Sequence, residues 1–354
     1  MNAAPIRFAA ADLPDYPAKW LGTPGAGHLH TASAQVFGEI PAFSPVAGRS
    51  ADDGPSEALE IPTSDGTGDR LAADLFLPEV ERPGRPLVVL LHGLGGDAES
   101  AYVRACLSDL LGAGLRVVAL NFRGAGRSHE TCSEYLHPGR TGDVRALLEY
   151  LEDETERDLF ESGAILVGFS LGGSILLKAL ATTDPEILHG VRAAVTVSAP
   201  LDLAACSRRL GRVRNHVYEA YLLKRMRDQI HLSPGGVSEE ELAAVDSAGS
   251  VWEFDATFTA PRRGFDAVED YYHEDSAGHR LGKIKVPTLL IVADDDPFVP
   301  LETYEQFDWD ACPHLVRKRT ATGGHTGFLC ESGPLYHSRC VMTLAELGAA
   351  GAGD

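Results

Sequence analysis

A chain of 354 residues, 44% of them hydrophobic, can bury a large core as one α/β domain or a domain with an inserted piece. Its formal charge of −20 argues against nucleic acid or an anionic membrane as a partner, because both carry the same sign. No run reaches the roughly 18 apolar residues of a bilayer span, residues 1–16 lack the pattern of a secretory signal, and six cysteines (106, 132, 206, 312, 330, 340) without C-x-x-C pairs predict a reducing, cytoplasmic setting.

Residues 1–57 are rich in Pro, Gly, Ala and Ser, show little periodicity and read as an extended N-terminal arm. The first part of an α/β core follows over 58–200. It opens with a hairpin, Leu59-Glu60-Ile61-Pro62 and Ala72-Ala73-Asp74-Leu75-Phe76-Leu77, around the turn Ser64-Asp65-Gly66. Continuous apolar runs at 86–91, 116–120, 164–167, 193–197 and 287–292, and a less clean one at 315–319, read as strands covered on both faces. Amphipathic stretches at 98–111, 143–154 and 171–181 alternate with them, which predicts right-handed βαβ units and a mostly parallel sheet. About 85 residues separate Pro200 from Lys285, far more than a crossover helix needs. This segment, 201–284, reads as an inserted helical cap, with a basic amphipathic stretch (208–227), a loop at Ser233-Pro234-Gly235-Gly236 and the aromatics Trp252, Phe254, Phe258, Phe265, Tyr271 and Tyr272. The second part of the core occupies 285–354.

The most informative motif is Gly168-Phe169-Ser170-Leu171-Gly172, between the apolar run ending at Val167 and the helical stretch from Leu171. A serine with glycines at i−2 and i+2 between strand and helix is the nucleophile-elbow pattern. The turn is so sharp that side chains at i±2 collide with backbone, and the serine hydroxyl is held at a helix N-terminus, where a developing oxyanion is favoured.

A serine hydroxyl needs a base, and the base an orienting carboxylate. In the chain order of this pattern the acid and base follow later strands. Thr322-Gly323-Gly324-His325-Thr326-Gly327-Phe328 leaves the last strand, and its glycines let His325 reach back to Ser170; His337, in a stretch that reads as a terminal helix, is the reserve. Ala293-Asp294-Asp295-Asp296-Pro297-Phe298-Val299-Pro300 leaves the strand before it. Asp296, just before the turn into the next helix, is the preferred acid, with Asp294 and Asp295 as alternatives. The three adjacent carboxylates lack the spacing of a calcium loop, and the chemistry calls for neither metal nor cofactor.

The oxyanion donors expected are the N–H of Leu171 and that of Leu94, in the loop His92-Gly93-Leu94-Gly95-Gly96. The same loop satisfies the dinucleotide fingerprint G-x-G-x-x-A through Ala98. That fingerprint wants an acid ending the next strand, and this chain has Leu120-Asn121-Phe122-Arg123 there.

Taken in order over residues 85–330, several segments resemble one family. They are His92-Gly93-Leu94 with Tyr102-Val103-Arg104, Asn121-Phe122-Arg123-Gly124, the stretch 135–143, Gly168 to Gly173 with Leu176-Leu177-Lys178, and Ser198-Ala199-Pro200-Leu201-Asp202-Leu203. Phe258-Thr259-Ala260-Pro261 and Gly264-Phe265 with Tyr271-Tyr272 complete the set. The chain resembles the YheT-like branch of the α/β-hydrolase superfamily, which includes bacterial esterases and the eukaryotic abhydrolase lipases. The resemblance implies an α/β-hydrolase fold, with a mostly parallel eight-stranded sheet flanked by helices and an inserted helical cap. It also implies a Ser-His-Asp carboxylic ester hydrolase and carries the catalytic roles onto Ser170, Asp296 and His325. The N-terminal arm departs from the pattern, keeping a faint echo of it at Trp20 and at 28–31, and lacks the apolar helix of membrane-anchored members.

The expected activity is that of a serine esterase acting on small-molecule acyl esters of short to medium chain, or acylglycerols. An acyltransferase using the same acyl-serine and a non-catalytic binding protein on the same fold are the rivals.

Overall fold

The computed structural model describes residues 4–17, 26–35, 54–154, 159–232 and 236–350. Trp20 and residues 233–235 of the expected cap loop lie outside them. The sequence hairpin is β1 (Glu57–Pro62) and β2 (Arg70–Phe76), paired antiparallel. Six strands follow: β3 (Leu87–Leu91), β4 (Val117–Leu120), β5 (Ala164–Phe169), β6 (Val191–Val197), β7 (Thr288–Ala293) and β8 (Leu315–Thr320). They form one sheet in the order β1-β2-β4-β3-β5-β6-β7-β8, in which β2 alone runs against the rest.

Every residue of β3 to β7 is buried, which is why these runs read as continuously apolar. Side chains alternate between two cores. Leu87, Val89, Leu91, Val118 and Leu166 meet helices α3 (Thr141–Asp153) and α4 (Leu171–Thr182). Val88, Leu90, Val117 and Val167 meet α2 (Ala101–Gly112) and the C-terminal helix α12 (Tyr336–Ala350). The outer strand β8 is only partly buried and carries Arg317, Lys318 and Arg319, charges that discourage edge-to-edge pairing. Because β3 lies between β4 and β5, the chain leaves the carboxyl ends of β3 and β5 in opposite directions. A crevice opens at that switch point.

Between β6 and β7 the chain is helical. It comprises α5 (Leu203–Leu210), α6 (His216–Leu232), α7 (Glu239–Ser247), α8 (Val251–Phe254), a π turn (Asp255–Thr259), α9 (Ala260–Arg262) and α10 (Val268–Asp275). A third core binds this segment to the loops beneath it: Leu210, Leu223, Met226, Val245, Val251, Phe254 and Phe258 pack with Tyr135 and Phe298. A short helix, α11 (Glu302–Glu305), follows β7.

The reading of residues 1–57 as an extended arm fails at Ala26–Gln35, which is a helix, α1, with Ala26, His30, Thr31 and Ser33 buried. Its composition of small and polar residues carries no apolar period to read. The stretch 4–17 is also pinned, since Ile6 and Leu13 are buried and the Ile6 N–H donates to the Arg192 carbonyl at 2.8 Å.

Candidate active site

Ser170 sits between β5 and α4 with φ 50° and ψ −122°, a conformation disfavoured for a residue bearing a side chain. Close approach of backbone explains both flanking glycines. A Cβ at 168 would lie 2.6 Å from the Gly173 Cα, and one at 172 would lie 2.2 Å from the His92 carbonyl oxygen. The elbow is therefore wedged against the β3 exit, and Leu171 opens α4, where the first amides have no intrahelical acceptor.

His325 meets Ser170 from the β8 exit. Its Nε2 lies 2.7 Å from Ser170 Oγ, and its Nδ1 lies 2.9 and 3.2 Å from the two carboxylate oxygens of Asp296. The ring is buried and packs 4.5 Å, centroid to centroid, from Phe298. A carboxylate on Nδ1 fixes that nitrogen as the donor and leaves Nε2 to accept the serine proton. Asp296 is fully buried, and its Oδ1 accepts the N–H groups of Phe298 and Val299 at 2.8 and 3.0 Å. Two cap residues brace the loop: Arg209 donates to the Asp296 carbonyl at 3.0 Å and Asn215 to the Pro297 carbonyl at 2.8 Å.

The three adjacent aspartates go three ways. Asp294 forms a surface ion pair with Arg319. Asp295 accepts the Gly324 N–H at 2.9 Å, and burial pushes its carboxyl above the usual range. Of the three, only Asp296 reaches His325. His337 is buried in α12 against Phe169, well below its usual basicity at about 3 through burial, and is not the partner of Ser170.

Leu94 and Leu171 both line the cavity beside Ser170 and His325. Burial keeps the His92 ring neutral. Its Nε2 accepts the Phe122 N–H at 3.1 Å, so Nδ1 carries the proton and donates to the Gly93 carbonyl at 2.9 Å. Gly96 N–H donates to the same carbonyl at 3.1 Å. In a planar trans peptide N–H and C=O point opposite ways, so holding the Gly93 carbonyl aims the Leu94 N–H.

Sequence reasoning missed α1 as part of this site. Thr31 Oγ1 accepts the His325 N–H at 2.8 Å and donates to the Gly27 carbonyl at 2.6 Å. A Cβ at Gly27 would lie 2.1 Å from the Asp295 carbonyl oxygen, and one at Gly327 would lie 2.4 Å from that of His30. The helix is thus keyed into both the acid and the base loops. The only signal in the chain was the faint echo at 28–31. Thr31→Val is expected to lower kcat by about 2- to 10-fold with little change in KM, the worth of one hydrogen bond to a backbone amide. Steady-state kinetics on a p-nitrophenyl ester check this, and an unchanged kcat removes Thr31 from the positioning machinery.

A cavity of about 110 Å³ lies over Ser170 and His325. Its walls are mostly apolar, including Leu136, Leu203, Leu210, Leu222 and Met226. Of the six cap aromatics singled out from the sequence, Tyr271 and Tyr272 line it. Phe254 and Phe258 fill the cap core, and Trp252 and Phe265 pack against the sheet core instead.

A family model described as alpha/beta hydrolase fold matches residues 86–331. The chain is 31% identical over 316 residues to the inferred esterase YheT of Escherichia coli (strain K12), covering 88% of this chain and 86% of that protein. It is 30% identical over 300 residues to medium-chain fatty acid ethyl ester synthase/esterase 2 of Saccharomyces cerevisiae, covering 77% of this chain and 64% of that protein. Among solved structures it resembles the proline iminopeptidase of Mycobacterium smegmatis in fold, with a TM-score of 0.51 at 16% identity over 84% of this chain and all (100%) of that one.

Proposed function

The chain belongs to the α/β-hydrolase fold family, in its YheT-like group, and from that premise we propose that it is a serine carboxylesterase acting on short- to medium-chain acyl esters or acylglycerols. The observation that carries this reading is the unbroken contact from Ser170 Oγ through His325 to buried Asp296, at the floor of a largely apolar cavity. Fold alone would not carry it, since unrelated chemistries share this scaffold.

His325 Nε2 takes the Ser170 proton as Oγ attacks the ester carbonyl. The Leu94 and Leu171 amides receive the negative charge on the carbonyl oxygen, and the imidazolium, held by Asp296, protonates the departing alcohol. Water, activated by the same histidine, then attacks the acyl-serine and releases the acid. No group outside the chain is needed. The six cysteines are all free, which supports action in a reducing compartment such as the cytoplasm, and no helix among the described residues is long and apolar enough to cross a membrane.

One observation favours a second reading, in which an alcohol intercepts the acyl-serine: the yeast relative's name joins an ester synthase to an esterase. A binding protein with no chemistry is disfavoured because His325 contacts both Ser170 and Asp296 and so joins the three reactive side chains in one relay.

The test is a fluorophosphonate probe together with p-nitrophenyl esters from acetate to palmitate, with and without ethanol. We expect labelling of the chain, greatest turnover at short to medium acyl chains, and free acid as the main product. Ethyl ester as the main product transfers the assignment to the acyltransferase reading, and absence of labelling and turnover removes both.

A further inference from the structure

The basic amphipathic stretch 208–227 takes no part as a whole in the chemistry described above. It runs from the end of α5 through the turn at Val213–Asn215 into α6. It carries seven arginines and lysines against one acid, Glu219, which is buried. The formal charge of −20, which weighs against an anionic surface for the chain as a whole, is therefore reversed on this part of the cap.

Helix α6 is apolar on two faces. Leu223, Met226 and Ile230 pack into the cap core, and Leu222 and Met226 line the cavity over Ser170. At about 100° per residue, Val217, Tyr221 and Leu232 fall within about 60° of one another on the opposite side. There they are 79%, 39% and 57% exposed. Val213, 83% exposed, precedes them in the adjoining turn, between exposed Arg212 and Arg214. Lys224, on the same side of α6, is paired with Asp228. A surface helix needs one apolar stripe to bury; here a second is left to solvent among the described residues. The face is held on a fixed frame, since buried Asn215 donates to the Pro297 carbonyl and Arg225 to the Gly95 carbonyl, both at 2.8 Å.

We infer that this face of the cap docks on a lipid surface bearing anionic headgroups. Protein interfaces gather apolar side chains at their centre and charge at the rim. Arg212-Val213-Arg214 instead interleaves the two, which suits a lipid boundary, where aliphatic side chains enter the acyl region and guanidinium groups stay among the headgroups. At physiological salt, screening confines the attraction to charges within about 8 Å of the surface, so the acidic remainder of the chain does not cancel it. Docking sets the roof of the cavity against a reservoir of apolar esters, with one helix thickness, about 10 Å, between them. That purpose, though not the binding itself, rests on the esterase reading.

Co-sedimentation of the full chain with vesicles tests this, using phosphatidylcholine alone and an equal mixture of phosphatidylcholine and phosphatidylglycerol. We expect binding to the mixed vesicles that weakens as salt is raised, and far less to phosphatidylcholine. Val213→Ser with Val217→Ser is expected to weaken it by about 10-fold or more. Arg212→Gln with Arg214→Gln is expected to weaken it by about 5-fold for each charge removed. Val80→Ser, at an exposed valine outside the cap, leaves it unaltered. Absence of binding to the mixed vesicles, or an equal loss in Val80→Ser, overturns the docking face. Self-association in sedimentation velocity that the paired valine variant abolishes, without vesicle binding, assigns the face to a second copy of the chain and also overturns it. Turnover of dissolved p-nitrophenyl butyrate stays unchanged in the valine variant. Vesicle binding without turnover or fluorophosphonate labelling ends the esterase reading alone, and turnover without vesicle binding ends the docking alone.

Discussion

Ser170→Ala and His325→Ala are each expected to reduce kcat on p-nitrophenyl butyrate by about 10⁵- to 10⁶-fold, and the double variant to lose no more than either alone. The reason lies in the 2.7 Å contact between Ser170 Oγ and His325 Nε2. The two groups act as a unit: a hydroxyl without its base is no better a nucleophile than water, and a base without its hydroxyl has nothing to activate. What survives is the contribution of cavity binding and of the Leu94 and Leu171 amides, common to all three variants. Ser170→Ala keeps the Cβ at the elbow and leaves the thermal melt close to that of the unaltered chain, whereas His325→Ala empties the ring's place against Phe298 and lowers the melting point. Circular dichroism close to that of the unaltered chain accompanies the expected result for both. Additive losses in the double variant, or a Ser170→Ala protein that retains turnover, end the mechanism.

Asp296→Asn is expected to lower kcat by about 10⁴-fold, whereas Asp294→Asn and Asp295→Asn stay within about tenfold of the unaltered chain. An amide at 296 can present N–H to His325 Nδ1, favouring the tautomer with the proton on Nε2, where it cannot accept from Ser170. Asp294 offers only a surface ion pair to Arg319, which solvent screens. Asp295 supports the Gly324 amide through an oxygen that asparagine retains. Parallel kinetics on the three variants decide the matter, and equal losses at 294 and 296 refute the single-acid assignment.

How much of this could be read in the chain depends on how local the governing physics is. The elbow was legible because its Gly-x-Ser-x-Gly spacing between strand and helix is a local pattern, although the backbone that excludes a Cβ at 172 belongs to the β3 exit at His92. The strands were legible because burial on both faces leaves no room for polar alternation. The three aspartates were not separable by spacing: each is one residue from the next, and only their partners, Arg319, Gly324 and His325, tell them apart. The cap aromatics were visible as a cluster, but which of them face the cavity depends on how α8, the π turn and α10 pack.

The N-terminal helix marks the limit most clearly. Gly27 and Gly327 matter because backbone passes where a Cβ would stand, and Thr31 because its hydroxyl meets an amide 294 residues away in the chain. Neither effect leaves a periodic trace. Local sterics, hydropathy period and motif order therefore determined the sheet, the elbow and the pair Ser170 and His325 from the chain itself. Tertiary structure alone showed which aspartate meets His325 and how α1 holds the loop of that histidine, because each is a contact between segments whose neighbourhood is set by folding.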